Sequence, residues 1–190
     1  MQSGETDVVA VYSGVCKVNA AVAAQILIDA FHTDVIINAG TAGGIDERVQ
    51  LFDTIIGDRM IYHDVADDIL TEFHPWLMEN AFHADPALYT AARKYAGSLP
   101  CPVLFGTMVT GEQFIEDEKR AEIREKSAPL SVDMETAAVA HVCYVNRIPF
   151  LCVRSITDTA EHSEIDNFDR NCETASARAA EVTIGILKMI

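Results

Sequence analysis

Short apolar segments alternate with longer helix-forming segments along most of this 190-residue chain. Val35–Ile37 and Phe150–Val153 are uninterrupted apolar runs, too short for a helix and flanked by polar, glycine or proline residues. Strands that are apolar at every position are typical of a parallel sheet covered on both faces. Because such strands alternate with helices, the sequence predicts an α/β fold with a largely parallel sheet.

The same alternation gives the expected element bounds. Extended segments are predicted at residues 8–12, 34–38, 54–62, 102–110 and 149–158. Helices are predicted over residues 18–31, 86–99, 116–126, 133–145 and 168–189, and the charged 116–126 segment is interpreted as a surface helix. No linker, repeat or low-complexity tract divides the chain, so we expect one domain over residues 1–190.

Charge and cysteine usage exclude several classes of protein. The chain has 14 Lys and Arg against 29 Asp and Glu, a net charge of −15, which argues against nucleic acid or an anionic membrane as a partner. No apolar run is long enough to span a bilayer. The five cysteines form no C-x-x-C pair, and the first residues have no signal-peptide pattern, so we expect reduced thiols and a cytoplasmic location. The histidines lack metal-ligand spacing, so neither a metal nor a cofactor is expected.

The carboxyl ends of the predicted strands are where a ligand of such a sheet binds. They carry Ser13–Val15, Gly40–Gly44, Thr110–Glu112 and Thr157–Asp158. The glycine pattern fits neither the dinucleotide nor the P-loop motif, and no G-x-S-x-G is present. Glu135, at the start of an apolar helix, has two interpretations: a charge that complements the helix dipole, or an acceptor for the two vicinal hydroxyls of a ribose.

Three motifs together resemble the nucleoside phosphorylase/nucleosidase superfamily: Asn38–Gly44, Val132–Val142 and Val153–Asp158. The closest resemblance is to the 5′-methylthioadenosine/S-adenosylhomocysteine nucleosidases, and Ser13–Ala21 and Tyr62–Val65 are similar to further stretches of that family. The resemblance implies a three-layer α/β/α sandwich with a twisted, mixed but mostly parallel sheet, and a homodimer. It implies hydrolysis of the N-glycosidic bond between adenine and a 5′-thio-substituted ribose.

The resemblance also implies roles for individual residues. Asp158 matches the acid that protonates adenine N7, and Glu135 matches the carboxylate that binds the ribose hydroxyls. Arg154 matches an arginine near the attacking water, and Met134 matches a residue packed against the sugar. The other matching positions, around the base, the alkylthio tail and the ligand-facing backbone, are Val15, Thr41, Ala42, Gly43, Phe114, Ile115, Thr157 and Phe168.

Two departures from the family pattern shape the functional hypotheses. Asn38 stands where the phosphorylase branch has an arginine for phosphate, which favours water as the nucleophile. The family's first strand and its water-activating glutamate have no match in this chain, so we expect either a shortened form or a chain without that group, with reduced activity. Three alternatives remain open: a nucleoside-binding member without turnover, an aminodeoxyfutalosine hydrolase and a purine nucleoside phosphorylase.

Overall fold

The computed structural model describes residues 2–3, 6–115, 117–159 and 165–190. The helices are α1 (Lys17–Phe31), α2 (Ile69–Glu72), α3 (Pro86–Ala96), α4 (Asp117–Ser127), α5 (Thr136–Asn146) and α6 (Ile165–Leu187). The strands are β1 (Gln2–Ser3), β2 (Thr6–Asp7), β3 (Ile36–Gly44), β4 (Thr54–Tyr62), β5 (Phe82–His83), β6 (Val103–Thr110), β7 (Ser131–Asp133) and β8 (Phe150–Asp158).

Six of these strands form one mixed sheet in the order β5-β4-β6-β7-β3-β8. Its two longest pairings are parallel, β3 with β8 and β4 with β6. β7 runs parallel to β6 and antiparallel to β3, and the first part of β4 pairs antiparallel with β8. Parallel pairing therefore brings the carboxyl ends of β3 and β8 to the same edge, as the sequence predicted.

Helices cover both faces of this sheet. Phe150 and Cys152 pack in the core formed with α1 and α5, whereas Leu151 and Val153 pack in the core formed with α3 and α6. This division follows from the alternation of side chains along a strand. Burying each large apolar side chain contributes about 1.5–3 kcal/mol of transfer free energy. The three-layer α/β/α sandwich is thereby confirmed.

Local sequence explains where α3 begins. Asp85 Oδ1 accepts hydrogen bonds from the backbone N–H of Ala87 at 2.9 Å and of Leu88 at 3.1 Å. Pro86 occupies the first helical position, where its missing N–H costs nothing. Capping of this kind contributes about 1 kcal/mol to helix stability.

Two of the predicted strands were wrong in detail. Residues 8–12 lie outside every strand, and Tyr12 is 90% exposed. β-branched composition stabilises a strand only where a neighbouring strand is in place to pair with it, and residues 8–12 belong to neither sheet of the described residues. In contrast, Gly40–Gly44 continues β3 instead of ending it. Gly40 is needed there because a Cβ atom would lie 2.6 Å from Nη1 of Arg154.

One helix prediction also needs correction. Residues 131–133 form β7, so Asp133 precedes α5 rather than lying in its first turn. The charged helix predicted over residues 116–126 is confirmed as α4 and lies at the surface. Arg120 and Ile123 are nevertheless buried on its inner face; residue 116 lies outside the described residues. Ile123 packs against the sheet residues Ile61 and Val109. Within the described residues, no helix has the length and apolarity needed to cross a membrane.

Candidate active site

Arg154 of β8 is the centre of a buried polar network. Its Nη1 donates to the carbonyl oxygen of Thr41 at 3.0 Å, and its Nη2 donates to Asn38 Oδ1 at 2.7 Å. Nε donates to Thr136 Oγ1 at 3.0 Å and lies 3.2 Å from Asp133 Oδ2. Burial by itself lowers the pKa of Arg154, but the Asp133 and Glu135 carboxylates outweigh it and raise that pKa. Arg154 therefore stays charged and joins β3, β8 and the start of α5.

Asp133 prepares the start of α5. Its Oδ1 accepts hydrogen bonds from the N–H groups of Glu135 at 3.0 Å and Thr136 at 2.9 Å, and from Thr110 Oγ1 at 2.7 Å. Its Oδ2 accepts from Thr136 Oγ1. These contacts satisfy backbone donors that a helix leaves unpaired at its first turn. They also fix the backbone of Glu135.

The Glu135 carboxylate is held from two sides. Oε1 accepts from the backbone N–H of Cys16, in the turn before α1, at 3.0 Å. Oε2 lies 3.3 Å from Arg154 Nη2. The side chain keeps 14% of its surface exposed, so it is both fixed and reachable. Burial raises the pKa of Glu135, and Asp133 raises it further, although Arg154 acts in the opposite direction.

Asp158 ends β8 and is buried. Its Oδ1 accepts from Thr157 Oγ1 at 2.7 Å, and its Oδ2 accepts from Arg120 Nη2 of α4. Thr157 Oγ1 also lies 3.3 Å from the carbonyl oxygen of Ala42 on β3. Gly43 stands opposite Asp158, and a Cβ atom at position 43 would lie 2.9 Å from Oδ2. The expected backbone segment of β3 and the expected acid are therefore adjacent.

Two aromatic rings meet beyond the strand ends. Phe114, after β6, and Phe168, on α6, have ring centroids 6.2 Å apart in an edge-to-face arrangement. The side chain of Ile115 is buried in an apolar cluster that also contains Val109, so it is not open to a ligand. Such rings, with backbone groups beside them, suit a flat heteroaromatic base.

Two other expected site residues are Met134 and Val15. Met134 is half-buried beside Glu135. Val15 is exposed in the turn before α1, and its carbonyl oxygen accepts from Asn19 Nδ2 at 2.8 Å. Direct contacts thus join Arg154 with Glu135 and with Thr41, Asp158 with Thr157 and the adjacent β3 backbone, and Phe114 with Phe168.

Four polar residues of the site were assigned no role from the sequence: Thr110, Arg120, Asp133 and Thr136. Arg120 carried a usable signal, because it stands three residues before Ile123, the single large apolar residue of a charged helix, and therefore on the same face. Taken together, the site offers a fixed carboxylate for hydroxyl groups and a buried carboxyl group for proton transfer. No metal-ligating cluster of three His, Cys, Asp or Glu residues occurs in the described part of the chain.

Comparison with known proteins shows the family to which the chain belongs. The sequence model of the phosphorylase superfamily matches residues 2–188. The 5′-methylthioadenosine/S-adenosylhomocysteine nucleosidase of Bacillus licheniformis is 37% identical over 190 residues, which cover 97% of this chain and 82% of the relative. This chain belongs to the methylthioadenosine/S-adenosylhomocysteine nucleosidase family.

Solved structures agree with the family assignment. The nucleosidase of Neisseria meningitidis, in complex with methylthio-immucillin-A, superposes on this family member with a TM-score of 0.84 and 33% identity, covering 94% of this chain and 79% of that one. The futalosine hydrolase of Helicobacter pylori has a TM-score of 0.85 but 23% identity, covering 94% and 78% of the two chains, and so shares the fold alone.

Proposed function

We propose that this chain hydrolyses the N-glycosidic bond of 5′-methylthioadenosine and S-adenosylhomocysteine, releasing adenine and the thio-substituted ribose. The observation that carries the proposal is the pair of differently placed carboxyl groups, Glu135 partly exposed and Asp158 buried at a strand end. The nucleosidase activity of the relatives supports it.

The two carboxyl groups suit different parts of such a nucleoside. Glu135 accepts hydrogen bonds from the 2′- and 3′-hydroxyls, because Cys16 and Arg154 fix its oxygens from the other side. Asp158 gives a proton to N7 of adenine while the C1′–N9 bond breaks and its electron pair moves to the base. A protonated base leaves as a neutral molecule, which lowers the barrier of a dissociative step. Water supplies the oxygen that bonds to C1′ and gives up a proton to the solvent, and Asp158 takes up a proton from the solvent before the next cycle.

Water, rather than phosphate, is the nucleophile that this site favours. Asn38 carries no charge, and its Oδ1 accepts a hydrogen bond from Arg154 Nη2 at 2.7 Å. Arg154 itself is committed to Asp133, Glu135 and the Thr41 carbonyl. A phosphate dianion needs a cation with free donors. The purine nucleoside phosphorylase alternative is therefore disfavoured.

Product analysis tests the proposal. Purified protein is incubated with 5′-methylthioadenosine, with and without phosphate, and adenine and the sugar product are separated and quantified. We expect adenine and free methylthioribose at a rate independent of phosphate. A requirement for phosphate, with a sugar phosphate as product, would establish phosphorolysis instead. Binding of the nucleoside without release of adenine would establish a binding protein without turnover.

The rate that this 190-residue chain reaches stays a prediction. We expect slow hydrolysis, since Glu135 and Asp158 stabilise the sugar cation and the leaving base, but no residue here was matched to the family's water-activating glutamate. The same assay gives the turnover number, and a rate equal to that of the Bacillus licheniformis relative would contradict this expectation.

We propose that the protein is a homodimer that buries the outer face of α1. Val18, Val22 and Ile26 form an apolar stripe on that helix and are between 51% and 71% exposed. Beside it lies a groove of about 340 Å³ between α1 and α5. Sedimentation analysis should give a dimer for the wild type, a monomer for Val22→Glu and a dimer for the control Ala87→Glu, at an exposed position of α3. A wild-type monomer at micromolar concentration would refute the dimer.

Two further expectations join this proposal. A single domain is supported by the match of one family model to residues 2–188. A cytoplasmic location is supported by five free cysteines. A role in salvaging the thioether nucleosides follows from the proposed reaction.

A further inference from the structure

Arg120 lies buried against Asp158, although it belongs to the most polar helix of the fold. The Arg120 side chain is 4% exposed and that of Asp158 is 2% exposed. Arg120 Nη1 donates to the carbonyl oxygen of Gly44 at 2.6 Å, and Nη2 donates to Asp158 Oδ2. Since Thr157 occupies Oδ1, both oxygens of Asp158 have a donor.

Stability alone explains this arrangement poorly. Taking two charges out of water is costly, and packed apolar residues in the same place are often as stabilising or more so. In addition, Nε of Arg120 is buried and has no hydrogen-bond partner among the described residues. A buried donor without an acceptor is a further cost. An arginine kept under these conditions points to a functional requirement.

We propose that Arg120 is a positioning residue for Asp158: it fixes Oδ2 and stabilises the carboxylate that remains once the proton has moved to the leaving base. The inference rests on the proposed function. The proton passes from the Asp158 carboxyl group to N7, the C1′–N9 electron pair goes to the base, and Asp158 is left with a negative charge. Arg120 supplies the compensating positive charge in a site screened from water.

The surroundings of Asp158 make Arg120 the source of that charge. From β3, Gly43 and Gly44 contribute only backbone. From α6, Asn171 contributes an uncharged amide, which donates to the Thr157 carbonyl oxygen at 2.9 Å. Within the described residues, Arg120 is the one charged group hydrogen-bonded to Asp158.

Two stable nucleoside analogues test the proposal, both with a 5′-methylthio group. The 9-deaza analogue carries an N–H at the position of N7 and donates to the Asp158 carboxylate, whereas the 7-deaza analogue carries a C–H there. Their dissociation constants are measured by calorimetry for the wild type, Arg120→Gln and Arg120→Lys. In Arg120→Gln, the ratio of the two dissociation constants that expresses the preference for the N–H analogue should fall about tenfold, since charge-assisted hydrogen bonds are the stronger ones. Affinity for the 7-deaza analogue should stay nearly constant.

Kinetics and a conservative variant complete the test. Arg120→Gln should lower kcat for adenine release with little change in KM, and Arg120→Lys should restore part of both the preference and kcat. Should Arg120→Gln fail to fold, Arg120→Met fills the same buried space and takes its place. An unchanged preference, or an equal loss of affinity for both analogues, would overturn the positioning role. If the wild type releases no adenine, or Asp158→Asn keeps the preference, it is the proposed function that fails.

Discussion

Glu135 and Arg154 meet at 3.3 Å between Oε2 and Nη2, although they come from the start of α5 and from the middle of β8. On the other side of the carboxylate, the backbone N–H of Cys16 donates a hydrogen bond to Oε1. An ionised carboxylate has about four lone-pair sites, so two remain for an incoming ligand. Glu135 is thereby held in one orientation while it can still accept two hydroxyl groups.

Replacing Glu135 by Gln should lower kcat/KM without lowering the melting temperature. The amide offers N–H groups where a ribose hydroxyl needs an acceptor, so kcat/KM should fall by roughly 10²–10³-fold, the equivalent of about two charge-assisted hydrogen bonds. The melting temperature at neutral pH should not fall, because burial penalises the ionised Glu135 that the substitution removes. The control Glu47→Gln, at a side chain that is 78% exposed, should leave both unchanged. A large loss of melting temperature in Glu135→Gln would contradict this account.

The raised pKa of Glu135 also sets a pH dependence. Glu135 must be ionised to accept both hydroxyls, so kcat/KM should fall on the acid side at a pH above about 4.3, the ordinary glutamate value. For folding the sign is opposite: a raised pKa gives stability that is present below the unfolded-state pKa and is lost as the pH rises through the folded-state pKa. Urea titrations should therefore show wild type losing stability relative to Glu135→Gln as pH increases. An acid limb at or below the ordinary value would be inconsistent with the raised pKa.

Replacing Arg154 should destabilise the folded protein as well as inactivate the site. Arg154→Met leaves Asp133 as a buried, uncompensated charge, so we expect a loss of about 3–5 kcal/mol in the free energy of unfolding, measured by urea denaturation. The matched control is Arg48→Met, which breaks the pair with Asp46 at a side chain that is 76% exposed. That change should leave the free energy of unfolding nearly unchanged, because solvent screens an exposed ion pair. Equal losses in the two variants would contradict the network role of Arg154.

Gly43→Ala tests the close approach of β3 to Asp158. The added Cβ would lie 2.9 Å from Oδ2, so the carboxyl group must move. We expect adenine release to fall by about 10–100-fold, because small misplacements of a reacting group are costly. In the control Gly97→Ala, at the end of α3, the new Cβ meets only carbonyl oxygens at 3.6 Å. A fully active Gly43→Ala would show that Asp158 does not need its observed position.

The parts of this fold that depend on local pattern were readable from the sequence. The apolar run Phe150–Val153 predicted the buried strand β8, and its position predicted that Asp158 would end at the ligand-binding edge. By contrast, Val9, Val11 and Tyr12 have the composition of a strand but no place in the sheet. Composition alone does not reveal whether a neighbouring strand is in place to pair with such a segment.

For a similar reason, the sequence could not show which residues contact each other in the site. Asp133 and Arg154 are 21 positions apart, and their 3.2 Å contact follows from strand order rather than from spacing. Arg120 looked like an ordinary surface charge because eight of the eleven residues of α4 are charged. Only the packing of α4 against the sheet, through Ile123, turns Arg120 inward.

The most direct test of the whole account is adenine release from 5′-methylthioadenosine by the wild type and by Asp158→Asn, followed by absorbance, with nucleoside binding measured in parallel. The control is Asp67→Asn, at a side chain that is 70% exposed. We predict that Asp158→Asn binds the nucleoside but releases adenine about 10²–10⁴-fold more slowly, the usual contribution of a general acid. Release at the wild-type rate by Asp158→Asn would contradict the central claim.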